Sequence, residues 1–158
     1  QKDHAYVAML TQPFELNLPS AALNKEYTLQ PDKAKAKDGY LVFTLPAERG
    51  SLANSQYVRY NSKRTSNLLL PGAADETFTY LAETPEGMRL ATPAMEKKID
   101  NAVGTLIISI LPEGGQTRVV RSLKLKKQMI RPADYAAFRQ LMIEYGAVDG
   151  RTLVYKSK

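Results

Sequence analysis

The sequence predicts a mainly β domain: an antiparallel β-sandwich with one α-helix packed on it near the C-terminus. Three observations carry that expectation. Short apolar–polar alternations recur along the chain, the pattern of strands buried on one face. Asp-Gly and Pro-Glu-Gly stand between them, where tight reversals need positive φ. One segment keeps apolar residues at three- and four-residue steps for long enough to form a helix. The 158 residues suit a single domain, 1–158, able to bury about two-thirds of the surface its unfolded chain exposes.

The elements follow in order. Phe14, Leu16 and Leu18 alternate with Glu15 and Asn17, and Pro19 closes the run. Tyr27 and Leu29 form a second short alternation. Residues 1–39 are thus either additional strands of the sandwich or a linker. Lys37-Asp38-Gly39-Tyr40 supplies a hairpin-type turn, because Asp-Gly suits the two central positions of a type I′ reversal. The strand "YLVFTLP" follows, with Leu41, Phe43 and Leu45 on one face. The polar stretch "LANSQYVRYNSKRTSN" reads as loop with one short strand at Tyr57–Tyr60, and "LLLPG" ends it.

"ETFTYLAETPEGMRLATP" reads as strand, Pro-Glu-Gly turn and returning strand. A clearer hairpin comes next: "GTLIISIL", the turn "PEGGQ", then "TRVVRSLKLKK". The flanks of the two Pro-Glu-Gly turns do not match, so shared turn chemistry explains them better than an internal repeat. The helix is "RPADYAAFRQLMIEYG". Pro132 suits its first position, and Asp134 puts a carboxylate near the free amides of its first turn. Tyr135, Phe138, Leu141, Met142 and Tyr145 make one apolar stripe, and Gly146 suits a left-handed terminus. After Asp149-Gly150, "RTLVYK" is a last strand with Leu153 and Tyr155 facing together.

Composition narrows the chemistry. The absence of cysteine removes thiolate metal sites, disulfides and cysteine nucleophiles. The lone histidine, His4, would have to carry any triad or imidazole metal site by itself, and it lies in the first few residues. No catalytic, cofactor-binding or metal-binding residue is therefore expected, and no cofactor. No run approaches the roughly 20 apolar residues of a membrane span. The chain opens on Gln1 with no signal-peptide pattern and is expected to be a processed or excised piece of something longer.

Charge is the remaining lead. The net charge is +6, and Arg118, Arg121, Lys124, Lys126, Lys127 and Arg131 follow one another with no acid between them. By strand periodicity Val119, Leu123 and Leu125 share a side with Arg121, and Val120, Ser122, Lys124 and Lys126 share the other. The lysines then occupy a wet face, where they would also discourage edge pairing if the strand is an edge. The run has no interleaved aromatics for base stacking, so nucleic acid is not an expected partner. Alternating lysine and alanine at Lys33–Lys37 read as an exposed loop. Glu48, Asp75, Glu76, Glu83, Glu86, Glu96, Asp100 and Glu113 sit in no recognisable motif and are expected to be surface charge. Most of the nine tyrosines fall at strand or helix-stripe positions that core packing explains.

Several segments, in order, resemble a known module. "SNLLLPG", "FTYLAETPEGMRLATP", "NAVGTLIISILPEGGQTRVVRSLKLKKQMIRPADYAAFRQLM" and "LVYKSK" resemble the C-terminal β-domain of unknown function in bacterial transglutaminase-like proteins. Those are multidomain chains common in Bacteroidetes, with an N-terminal β-domain and a papain-like transglutaminase core. The likeness covers Asn67 to Lys158 and extends back to about Tyr40. It implies a non-catalytic accessory or interaction module of a secreted or periplasmic protein, partnered by the neighbouring transglutaminase-like domain. The catalytic cysteine, histidine and aspartate would belong to that core, and none can be carried onto this chain. The alternative is an independent binding or adhesion module for an anionic glycan or surface polymer. A hydrolase, needing two facing carboxylates in a cleft, comes third.

Overall fold

A computed structural model describes residues 23–48, 51–52, 63–70 and 74–158. The alternation at Phe14–Leu18, His4 and the short strand at Tyr57–Tyr60 lie outside these residues. Among these residues ten strands and one α-helix follow in chain order. They are β1 (Leu23–Leu29), β2 (Tyr40–Thr44), β3 (Leu68–Leu69), β4 (Asp75–Glu83), β5 (Met88–Leu90), β6 (Met95–Asp100) and β7 (Gly104–Glu113). Next come β8 (Gln116–Leu125), β9 (Met129–Ile130), α1 (Tyr135–Tyr145) and β10 (Thr152–Ser157).

A five-stranded sheet runs β1-β4-β8-β7-β6, a three-stranded sheet β2-β10-β5, and β3 pairs with β9 as a short ribbon. The long β7–β8 hairpin forms the middle of the larger sheet. Its turn is only Gly114-Gly115, both at positive φ (51° and 78°), as a two-residue type I′ reversal requires. Alternation decides which face is inward: Phe78, Tyr80 and Ala82 of β4, Leu106, Ile108 and Ile110 of β7, and Val119, Leu123 and Leu125 of β8 are all buried. Each such side chain contributes about 1.5–3 kcal/mol by leaving water.

Two different structures cover that inner face. At one end Leu41, Leu45, Met88, Leu153 and Tyr155 of the smaller sheet and its flanks pack on Phe78, Tyr80, Ala82, Ile110 and Val119. At the other end α1 lays Tyr135, Phe138, Leu141, Met142 and Tyr145 on Leu106, Ile108, Leu123 and Leu125, with Leu70 and Ile130 beside them. The architecture is mainly β and sandwich-like, and its second layer is part sheet and part helix. The helix stripe, the β7–β8 hairpin and the joint burial of Leu153 and Tyr155 match the sequence expectations.

Other expectations need correction. The first Pro-Glu-Gly turn does not close a hairpin: β4 pairs with β1 and β8, so both its edges are taken, and β5 crosses to join β10 in the other sheet. The larger sheet is antiparallel except at β1, which runs parallel to β4 from Leu23↔Glu76 to Leu29↔Ala82 and stacks Tyr27 on Tyr80. β8 is the central strand, so its lysines guard no edge. β6 escaped the sequence reading because charged residues fill much of its alternation. The Asp38-Gly39 reversal forms as expected (φ 53° and 80°), and the exposed stretch before it holds a 3₁₀ turn at Lys33–Lys35. Pro132 starts a 3₁₀ turn that leads into α1. The Asp134 carboxylate does not cap the helix; it pairs with Lys127 at 3.2 Å and Arg131 at 3.6 Å. Gly146 ends α1 at φ −86°, a right-handed conformation, with its N–H donating to the Met142 carbonyl.

Candidate functional site

The strongest concentration of buried charge among the described residues surrounds Arg121. It stands mid-strand on β8, opposite Phe78 on one side and Ile108 on the other, so its side chain enters the interior with its apolar neighbours. It is fully buried. A buried guanidinium must find acceptors for its donors, and three segments supply them. Nε donates to Glu48 Oε1 at 2.5 Å, Nη1 to the Gly150 carbonyl at 2.8 Å, and Nη2 to the Tyr145 carbonyl. The last acceptor is the C-terminal residue of α1, where the helix dipole favours a cation. The Tyr145 ring adds a cation–π contact, 5.1 Å from Arg121 Cζ. Gly150 permits the close approach: a Cβ there would lie 3.0 Å from Nη1 and 3.2 Å from Ile108.

A second carboxylate extends the network. Glu76, 5% exposed, accepts from Ser51 Oγ at 2.5 Å, Tyr145 Oη at 2.8 Å and the Leu52 N–H at 3.2 Å. Burial, and then the nearby Glu48 and Glu76 carboxylates, push the Tyr145 phenol well above its ordinary range. Burial and then Glu48 do the same for Tyr80, whose hydroxyl donates to the Pro46 carbonyl. Glu48 and Glu76 are therefore not surface charge, as the sequence suggested. The network joins β4, β8, the end of α1, the turn at Val148–Arg151 and the segment after β2. Closed to solvent, it can hold those pieces in register, and it offers no substrate a way in.

The basic run divides by face as its sequence suggests, with Arg121 buried and Lys124 and Lys126 exposed, but its charges are paired. Besides Arg121, Arg118 pairs with Glu113 at 2.6 Å, Lys126 with Asp100 at 2.7 Å and Lys124 with Asp75 at 3.9 Å. Lys127 and Arg131 share Asp134. These contacts hold the Asp100, Glu113 and Asp134 carboxyls below their usual range. Every cation of the run thus has a carboxylate partner within the domain. Glu83 and Glu86 line a shallow surface groove with Gln30, Pro31, Lys33, Thr84 and Pro85. Glu96 lies on edge strand β6. Among the described residues no group of three or more His, Asp and Glu could hold a metal ion, and no helix is long and apolar enough to cross a membrane.

The sequence placed Arg121 on the apolar side of its strand, and that odd position was the one available signal of this site. Glu48 gave none, being 73 positions away in the chain. Fold and network together define a sandwich-like β-domain whose buried ionisable groups fasten its layers. Residues 40–155 match a family described as a domain of unknown function with a solved structure, DUF3858, and the chain belongs to that family. A crystal structure of a candidate protease from Parabacteroides distasonis superimposes with a TM-score of 0.80 and 30% sequence identity. The match covers 87% of this chain and 27% of that one, so the present chain spans about a quarter of that relative. No curated protein matches it.

Proposed function

We propose that this domain is a non-catalytic accessory module of a longer secreted or periplasmic protein, seated against a neighbouring transglutaminase-like domain. The observation that carries the reading is the Arg121 network: the residues with the most chemical potential, Glu48, Glu76, Tyr145 and Arg121, are engaged in fastening α1 to the sheet. The resemblance of the segments from Tyr40 to Lys158 to the tail of transglutaminase-like proteins supports the choice of neighbour. The small share of the Parabacteroides relative that the match occupies fits a module within a larger chain. Deleting the domain from a full-length protein and measuring thermal stability and acyl-transfer turnover tests the proposal. Loss of stability or turnover on deletion, with turnover insensitive to Glu76→Gln, is the expected result. A deletion with no effect on either property overturns it.

A further inference from the structure

Several cations have no carboxylate partner among the described residues, all of them outside the conspicuous basic run. Lys25 and Lys98 lie elsewhere and are unpaired as well, but among the described residues Lys33, Lys37, Arg89, Lys156 and Lys158 also form no ion pair, in contrast to the fully paired run from Arg118 to Arg131. The fold gathers them at one end of the smaller sheet. The Lys158 N–H donates to the Gly87 carbonyl, Lys33 Nζ lies beside Gly87, and the Ser157 N–H donates to Gly39 in the turn after Lys37. Glu86 and Asp38 stand in the same turns, yet neither pairs with any of these cations.

The outer face of β2, β10 and β5 shows the consequence. Cross-strand register puts Tyr40, Lys156 and Arg89 in one row, with Lys156 directly opposite Arg89 and its Nζ 5.8 Å from the Tyr40 ring centroid. Like charges opposed across a strand pair destabilise a sheet, so this row stores a repulsion that a carboxylate from outside would relieve. The next row is apolar. Val42, 65% exposed, faces Val154, and a groove of Ala91, Thr92, Pro93, Thr152 and Val154 runs to Asp149, beside Val148, which is 74% exposed. An apolar strip flanked by unneutralised cations marks an interaction surface. The open face of the larger sheet is more nearly neutralised: Thr77 and Ser122 hydrogen-bond each other at 2.9 Å, Arg118 and Lys124 are paired, and the unpaired Lys98 stands opposite Ile107, 39% exposed, rather than opposite a second cation.

Resting on the accessory-module reading above, we propose that the outer face of β2, β10 and β5 is the docking face. Its occupant is the remainder of a longer chain of this kind, presenting an apolar patch against Val42 and Val154 and carboxylates against Arg89 and Lys156. The Parabacteroides relative, most of whose chain lies outside the match, has protein available for that role.

Hydrogen exchange on the 158-residue chain and on a full-length protein containing it tests the assignment. Amides of β2 and β5 are expected to exchange at least about tenfold more slowly in the full-length protein. Arg89→Gln with Lys156→Gln should remove that difference while leaving the 158-residue chain at least as stable as before, because it relieves the repulsion. A purely structural role for the two cations predicts the opposite sign for stability. Slowing confined to other surfaces of the domain overturns the proposed face and leaves the accessory reading standing. No slowing anywhere overturns both. Slowing of β2 and β5 by added polygalacturonate, with none in the full-length protein, assigns the face to an acidic polymer and also overturns the proposal.

Discussion

Replacing Arg121 by methionine keeps a long apolar stem in the interior and deletes the guanidinium. Glu48, 1% exposed, then stays buried without that cation, and the Tyr145 and Gly150 carbonyls lose their donors. Removing one partner of a buried pair costs about 3–5 kcal/mol, since a charge is stranded away from water. Each carbonyl left unbonded and dry adds about 1–3 kcal/mol, so a loss of about 4 kcal/mol is a conservative expectation. Against a typical domain stability of about 5–15 kcal/mol the change is large, and it corresponds to a fall of about 8–16 °C in Tm. Urea denaturation of Arg121→Met, Glu48→Leu and the double variant measures it. The double variant should cost less than the sum of the two single changes, because it strands no charge. A single Arg121→Met within about 1 kcal/mol of the parent at unchanged m-value, or strict additivity in the cycle, would show that the buried pair does not fasten the domain.

Two further predictions concern backbone and protonation. Gly104→Ala should cost more than about 1–3 kcal/mol, because its Cβ would meet the Lys124 carbonyl at 2.5 Å. Gly115→Ala, at φ 78° with nothing nearby, should cost only about 1–2 kcal/mol of backbone strain; equal melting shifts for the two would contradict that ranking. Burial raises the phenols of Tyr80, Tyr145 and Tyr155 above their unfolded value of about 10. A raised folded pKa gives stability that is complete below the unfolded value and is lost as pH climbs toward the folded ones. Absorbance near 295 nm during an alkaline titration should therefore show these phenols ionising only together with unfolding; a smooth ionisation of all nine tyrosines near pH 10, with the fold intact, would count against it.

Local signals carried far in this chain, and pairing between distant segments did not. The stripe from Tyr135 to Tyr145 and the alternation of β7 and β8 state their own buried faces, because 3.6- and 2-residue periods need no partner to be read. The choice of strand neighbours is different. "FTYLAETPEGMRL" looks like a hairpin, and only the claims of β1 and β8 on both edges of β4 send β5 to the other sheet. β6 hid behind Glu96, Lys97, Lys98 and Asp100, although Lys97 reaches back across the helix side to Glu144 at 2.8 Å. The charge pattern was half legible for the same reason. A run of cations is visible in one dimension, whereas the carboxylates that neutralise it come from β4, β6 and the turn before α1. Conversely, Arg89 and Lys156 are 67 positions apart in the chain, and their opposition exists only in the folded sheet.

The most direct test of the account is zero-length carbodiimide coupling of a full-length protein carrying this domain, followed by mass spectrometry of the joined peptides. Such coupling links a lysine amine only to a carboxylate already in contact with it. Links are expected from Lys156, with Lys37 or Lys158, to aspartate or glutamate outside the domain, lost at high salt as exposed ion pairs are screened. Links to the outside made only through Lys98 or Lys124, on the open face of the larger sheet, would contradict it.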